Sequence, residues 1–216
     1  MGFGRVAAPA DGRVEVLLFD LGGVLVDFTG VAGLTKLLRS PIPLSEVQAR
    51  LASSELLRAF EIGQLTPEVF ATRFVDEWSL EVSSTEFLGQ FRTWSHEMFP
   101  GARELLANLA QRYRVAALSN SNEVHWDRNA SDLRVQACFE LAMSSHQLGL
   151  HKPDPAIFRQ AARLLGVSAE RIAFFDDAAA NVSGARSVGM VAHHVQGLPA
   201  LLACLQDGGY LRSDSP

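Results

Sequence analysis

The chain has little that would tie it to a membrane, a nucleic acid or an oxidising compartment. No apolar run approaches the eighteen or so residues of a spanning helix, and Asp20 interrupts the one nearest the N-terminus. Met1-Gly2 does not open a myristoylation signal, because position six is Val6 rather than Ser or Thr. Basic residues are not in excess: 19 Lys and Arg against 24 Asp and Glu leave a net charge of -5, so there is no electrostatic reason to expect nucleic acid or an anionic membrane surface. Only two cysteines occur, Cys138 and Cys204, without C-x-x-C spacing and in apolar surroundings, which reads as buried thiols in a reducing, cytoplasmic setting. A small soluble ligand is the partner such a composition suits, and nothing in it sets the oligomeric state.

What is present is a repeating pattern. Short apolar runs suited to buried strands recur at 14–19, 113–118, 139–143, 171–175 and 190–193, with helix-patterned stretches between most of them. Such alternation predicts an α/β fold: a Rossmann-like parallel sheet with helices on both faces. Residues 28–99 break the rhythm. They show no clear strand but several helix starts, with Ser45-x-x-Gln48 and Ser83-x-x-Glu86 fitting capping boxes and Thr66-Pro67 fitting an N-cap before a first-turn proline. The expected organisation is therefore a core of 14–27 and 100–210, an inserted cap of roughly four helices over 28–99, and loose tails at 1–13 and 211–216. An insertion leaving after the first strand can fold over the carboxyl ends of the strands, where open α/β sheets bind ligands.

The strand ends carry the chemistry. The first apolar run stops on Asp20 and breaks into Leu21-Gly22-Gly23; a carboxylate there is costly to desolvate unless its charge is used. The second runs into Ser119-Asn120-Ser121-Asn122, four small hydrogen-bonding residues. The fourth runs into Asp176-Asp177, followed by Asn181. Three carboxylates together would repel one another, so a divalent cation is the simpler account, and oxygen ligands with a phosphate suit Mg²⁺. Asp154 and Pro155 start a helix and leave Lys152 on the loop before it, as a point charge beside the acids. Nucleophile, small donors, cation and metal together suit phosphoryl transfer.

These four segments, in this order, make the chain resemble the haloacid dehalogenase-like hydrolase superfamily. Asp20-Leu21-Gly22-Gly23-Val24-Leu25 resembles its first motif, Leu118-Ser119-Asn120 the second, Lys152-Pro153 the third and Phe175-Asp176-Asp177 through Asn181 the fourth. The insertion is similar to the helical cap of subfamily I, and the wording of the first and fourth motifs is most similar to glucose-1-phosphate phosphatases and the phosphatase domain of soluble epoxide hydrolase. The resemblance implies Asp20 as the nucleophile that becomes an aspartyl-phosphate, with Ser119, the Asn120 backbone N–H and Lys152 holding the phosphoryl group. It implies Asp20, the Gly22 carbonyl and Asp177 as Mg²⁺ ligands, supported by Asp176 and Asn181. The substrate it implies is a small phosphorylated metabolite of the sugar phosphate class.

The usual phosphatase pattern is Asp-x-Asp, whose second Asp moves a proton to the leaving group and from water. Here that position is Gly22. General acid–base help contributes typically 10²–10⁴-fold, so the change predicts slow turnover, a leaving group that needs little protonation, or another proton carrier. His125, His146 and His151 are the candidates. A 2-haloacid dehalogenase, and a weakly active or inactive relative that binds a phosphorylated ligand, are the alternatives. In the cap, Trp78 and Trp94 are expected to be core, while Glu61-Ile62-Gly63-Gln64 could reach down to the substrate. His193 and His194 lack a third ligand at suitable spacing and are expected to be structural.

Overall fold

A computed structural model describes residues 14–211. The loose tails expected at the termini lie outside the described residues, except for Leu211, which packs against the core. Five parallel strands form the main sheet in the order β5-β4-β1-β6-β7: β1 (Val16–Phe19), β4 (Arg114–Ser119), β5 (Leu141–Ser144), β6 (Ile172–Asp176) and β7 (Val191–His194). β1 lies at the centre, in register with β4 through Phe19↔Ala117 and with β6 through Phe19↔Phe175. All five expected strands form, each beginning one or two residues later than expected.

Alternation along these strands sorts side chains to two faces. Leu17, Phe19, Val115, Ala117, Ala173 and Phe175 pack on one side, covered by α6 (Ala102–Leu109), α7 (Glu123–Ser131) and α11 (Gly197–Asp207). Val16, Leu18, Ala116, Leu118, Ile172 and Phe174 face the other, under α9 (Pro155–Leu165) and α10 (Ala179–Ser187). Being buried on both faces is why the strands read as continuous apolar runs. Among the described residues no helix is long and apolar enough to cross a membrane. Cys138 and Cys204 are free and only partly buried, which corrects the expectation of fully buried thiols.

The chain leaves the sheet after β1 through a tight turn in which Leu21 O accepts from Leu25 N and Val26 N at 2.9 and 2.8 Å. β2 (Val26–Phe28) then pairs antiparallel with β3 (Ser95–Met98), making a two-stranded ribbon through which the insertion departs and returns. β3 was not legible as a strand because its sequence, Ser-His-Glu-Met, lacks β-branched residues. Between the ribbon strands lie five helices rather than four: α1 (Gly30–Thr35), α2 (Leu44–Ala52), α3 (Glu55–Glu61), α4 (Pro67–Trp78) and α5 (Ser84–Arg92). Ser83 and Glu86 form the expected reciprocal capping box, and Thr66 caps α4 with Pro67 at its first position. The box at Ser45 does not form. α2 starts two residues earlier than a Ser45 cap would set it, at Leu44 after Pro43, which puts the Ser45 hydroxyl inside the first turn, where it cannot cap.

The insertion has its own core. Phe60, Phe70, Phe74, Phe87 and Phe91 interlock, with Phe60 and Phe70 stacked at 4.2 Å between ring centroids, and both Trp78 and Trp94 are buried there. Offset and tilted ring pairs of this kind add roughly 0.5–1.5 kcal/mol each beyond their area burial. α3 ends over the carboxyl edge of the main sheet, where α8 (Ser145–Leu148) meets it: Ser145 Oγ donates to Glu61 O at 2.5 Å.

Candidate active site

At the carboxyl edge of the sheet a cavity of about 260 Å³ opens between the core and the insertion. Asp20, Gly22, Ser119, Asn120, Lys152, Asp177 and Asn181 all line it. The four sequence segments are thus brought together by the parallel register that aligns the ends of β1, β4 and β6. Asp176, at the end of β6, lies beneath the floor and is wholly buried.

Lys152 organises the floor. Its side chain is 1% exposed, and its Nζ donates to Asp20 Oδ1 at 2.8 Å, to Asp176 Oδ2 at 2.7 Å and to Leu118 O at 2.9 Å. Asp176 is satisfied on both oxygens, because Oδ1 accepts from Ala178 N (2.8 Å) and Asn181 Nδ2 (2.9 Å). It therefore holds Lys152 and the start of α10 rather than facing the cavity. Burial pulls the Lys152 ammonium down, but Asp20 and Asp176 outweigh it and keep it charged, above its usual value.

The acids are short of positive charge. Asp20, Asp176 and Asp177 each place a carboxylate oxygen within 4.8 Å of the other two, with one ammonium among them. Burial, opposed by Lys152 and assisted by Asp176, raises Asp20 to about 7. Burial and then Asp176 raise Asp177 as well. Such a set of hard oxygen donors with uncompensated charge fits a divalent cation such as Mg²⁺. Gly23 belongs to the same fit: its φ is +75°, and a Cβ there would lie 2.4 Å from Asp177 Oδ2, so only glycine lets the Asp177 carboxylate come this close to the turn after Asp20. Gly22, in contrast, has room, since an added Cβ would meet only the Phe28 side chain at 3.7 Å.

The three candidate histidines fare differently. His125 lines the cavity, yet its Nε2 donates to Phe91 O (2.7 Å) and its Nδ1 accepts from Asn122 Nδ2 (3.1 Å); burial lowers it to about 4. It is a neutral structural residue, against which Phe28 packs edge-on. His146 is bonded to Ser144 Oγ at 2.5 Å, and burial lowers it too. His151 lies between core and insertion, bonded to Asn120 Nδ2 (3.2 Å) and Glu61 Oε2 (2.9 Å). His193 stacks on Phe175 and His194 donates to Asp177 O at 2.7 Å, so this pair is structural.

A family model for haloacid dehalogenase-like hydrolases matches residues 14–189. The chain belongs to that family. Among curated relatives of this hydrolase, a phosphatase of Mycobacterium tuberculosis, MT3486, is 30% identical over 192 residues, covering 84% of this chain and 87% of its own. A glyceraldehyde 3-phosphate phosphatase of Pyrococcus abyssi is 26% identical over 196 residues, covering 82% and 79%. The fold matches that of an enzyme of the same family from Bacteroides thetaiotaomicron, bt-2542, crystallised with magnesium and inorganic phosphate: TM-score 0.71 at 22% identity, covering 85% of this chain and 94% of that one. The L-2-haloacid dehalogenase PA0810 shares the fold as well, with a TM-score of 0.59 at 20% identity, covering 85% of this chain and 84% of that one.

Further residues on the cavity wall were not legible in the sequence. Phe28 is 47% exposed on its rim, and Ser95 of β3 and Asn129 of α7 pair there, Ser95 Oγ donating to Asn129 Oδ1 at 2.7 Å. Nothing in their local sequence marks them; only the ribbon and α7 bring them to the cavity. Glu61 does line it, at the end of α3. A larger cavity of about 350 Å³ near Thr29, Lys36, Trp94 and His96 contains no carboxylate and none of the strand-end residues.

Proposed function

We propose that this hydrolase is a Mg²⁺-dependent phosphatase of small phosphorylated metabolites, of the sugar phosphate class, working through an aspartyl-phosphate on Asp20. The observation that carries the reading is the placement of Asp20 at the end of β1, held by Lys152 and opening on a cavity whose wall supplies Ser119, Asn120 and Asp177. In this reading Asp20 attacks phosphorus through the carboxylate oxygen that Lys152 does not occupy. Ser119 Oγ and the Asn120 N–H orient the phosphoryl oxygens, and the Lys152 ammonium stabilises charge as the leaving group departs. Asn120 is itself fixed on the third motif: its Oδ1 accepts from Lys152 N at 2.9 Å and its Nδ2 donates to Lys152 O at 3.0 Å. Asp20, Asp177 and the Gly22 carbonyl would hold Mg²⁺, which when bound offsets the charge of the carboxylates and the phosphate.

The cavity wall favours an uncharged, hydroxylated leaving group. Lys152 is its only cation and is already saturated with acceptors, whereas Ser95, Ser121, Asn129 and the Phe28 ring offer neutral polar and apolar contacts. A dehalogenase would use Asp20 on carbon without a metal; the three clustered carboxylates with one ammonium argue against it. The test is phosphate release from a panel of esters that includes sugar 1-phosphates and acetyl phosphate. Release should require both Mg²⁺ and Asp20 and should vanish in Asp20→Asn; metal-independent halide release from 2-chloropropionate would replace this reading with the dehalogenase one.

A further inference from the structure

Five titratable side chains line the cavity: Asp20, Glu61, His125, Lys152 and Asp177. Four have fixed duties. His125 has both ring nitrogens engaged and is neutral, Lys152 donates to three acceptors, and Asp20 and Asp177 form the carboxylate cluster. Gly22 carries no side chain. Glu61 is the one proton acceptor left over, and the insertion brings it in from above.

We propose that Glu61 is the general base that activates water for hydrolysis of the aspartyl-phosphate, the duty left vacant at Gly22; the proposal rests on the phosphatase reading. Its protonation state follows from the hydrogen bonds. Lys152 N–H donates to Asn120 Oδ1, so the other end of that amide is the NH₂ group, which donates to His151 Nδ1. His151 therefore carries its proton on Nε2 and donates it to Glu61 Oε2 at 2.9 Å, which leaves Glu61 as a carboxylate with its second oxygen for a water. The position is built rather than accidental. Ser145 Oγ donates its one proton to Glu61 O at 2.5 Å and accepts from Ser121 N at 2.9 Å, and Gly63, at φ +74°, lets the following turn come so close to α8 that a Cβ there would lie 2.6 Å from His146 O.

In the step itself, a water oxygen bonds to phosphorus while the bond from phosphorus to the Asp20 carboxylate oxygen breaks. One water proton passes to Glu61, Asp20 returns as a carboxylate and inorganic phosphate leaves. Glu61 then gives its proton to solvent or to the next leaving group. His151 does not change protonation state; it is a positioning residue.

The test is rapid-quench kinetics in Mg²⁺ with 4-nitrophenyl phosphate, whose leaving group needs no proton. Glu61→Gln should give a burst of about one nitrophenolate per site, then a steady state slower by ~10²–10⁴-fold, with phosphate accumulating covalently on Asp20. Glu61→Asp should recover part of the steady rate, and His151→Gln, which keeps the carboxylate, should lose much less than Glu61→Gln. An unchanged steady state in Glu61→Gln overturns the proposal. So do burst and steady state slowed alike with no covalent phosphate, because a loosened cap would act on both steps. If the Asp20→Asn variant still releases phosphate at the unaltered protein's rate, the phosphatase reading falls first and this one with it.

Discussion

Replacing Lys152 by Met keeps the side-chain stem packed beside the Phe174 ring but removes an ammonium buried at 1% exposure between Asp20 and Asp176. Breaking a buried ion pair by deleting one partner costs about 3–5 kcal/mol, because the remaining charge is left uncompensated. In a chain of this length each kcal/mol lowers Tm by about 2–4 °C, so a fall of roughly 6–20 °C is expected. The loss should depend on pH. Asp20 already sits at about 7 in the folded protein, raised by burial against the influence of Lys152, and without the ammonium it rises further. A folded-state value above the unfolded one means the folded protein binds more protons between the two. Stability from that proton is full below an unfolded value of about 4 and is lost as pH rises through the folded value. The penalty should therefore be larger near pH 8 and fall to about half near pH 5, where Asp20 is protonated and one of the two carboxylate partners no longer needs the cation. Urea denaturation of both proteins in EDTA at these two pH values measures it. A difference under about 1 kcal/mol at pH 8, or one that does not shrink at pH 5, would refute the reasoning.

Two further outcomes follow from the same geometry. Gly23→Ala should destabilise the protein by more than about 1 kcal/mol, since it forces a side chain onto φ +75° and into the Asp177 carboxylate, and should abolish the Mg²⁺-induced rise in Tm; thermal shift with and without Mg²⁺ checks both. Because Asp20 holds a proton up to about 7, Mg²⁺ has to displace it below that pH, so affinity should climb with pH up to about 7 and level off above, with proton release visible by calorimetry in two buffers; a flat profile would count against Asp20 as a ligand.

Much of the site was legible because strand-end chemistry is local. Asp20, Ser119 and Asp176 each follow directly on an apolar run, with Asp177 next after Asp176, and the run itself announces a buried strand that must stop there. Lys152 was legible through the helix start at Asp154-Pro155, which the structure shows as an Asp154 side-chain cap accepting from Ala156 N at 2.8 Å. The misses were of another kind. Cys138 and Cys204 have apolar neighbours in sequence yet remain partly exposed, since neighbours in sequence do not bury a side chain unless the element's face is covered. The capping motif at Ser45 matched by spacing, but the helix starts two residues earlier, after Pro43, and spacing alone could not weigh the two.

By itself the sequence determined the alternation of strand and helix, the place of the insertion and which carboxylates, hydroxyls and amine stand at strand ends, because each is a property of a short segment and its periodicity. Only the tertiary structure decided what meets across the cavity. It ruled out His125 as a proton carrier, since Phe91 O and Asn122 reach its ring nitrogens from 34 and 3 residues away. It also joined Glu61 to His151 across 90 residues and His151 to Asn120 across 31, and the first of these hydrogen bonds exists only when α3 docks on the core. Protonation state and charge balance depend on such distances, and no window of sequence contains them.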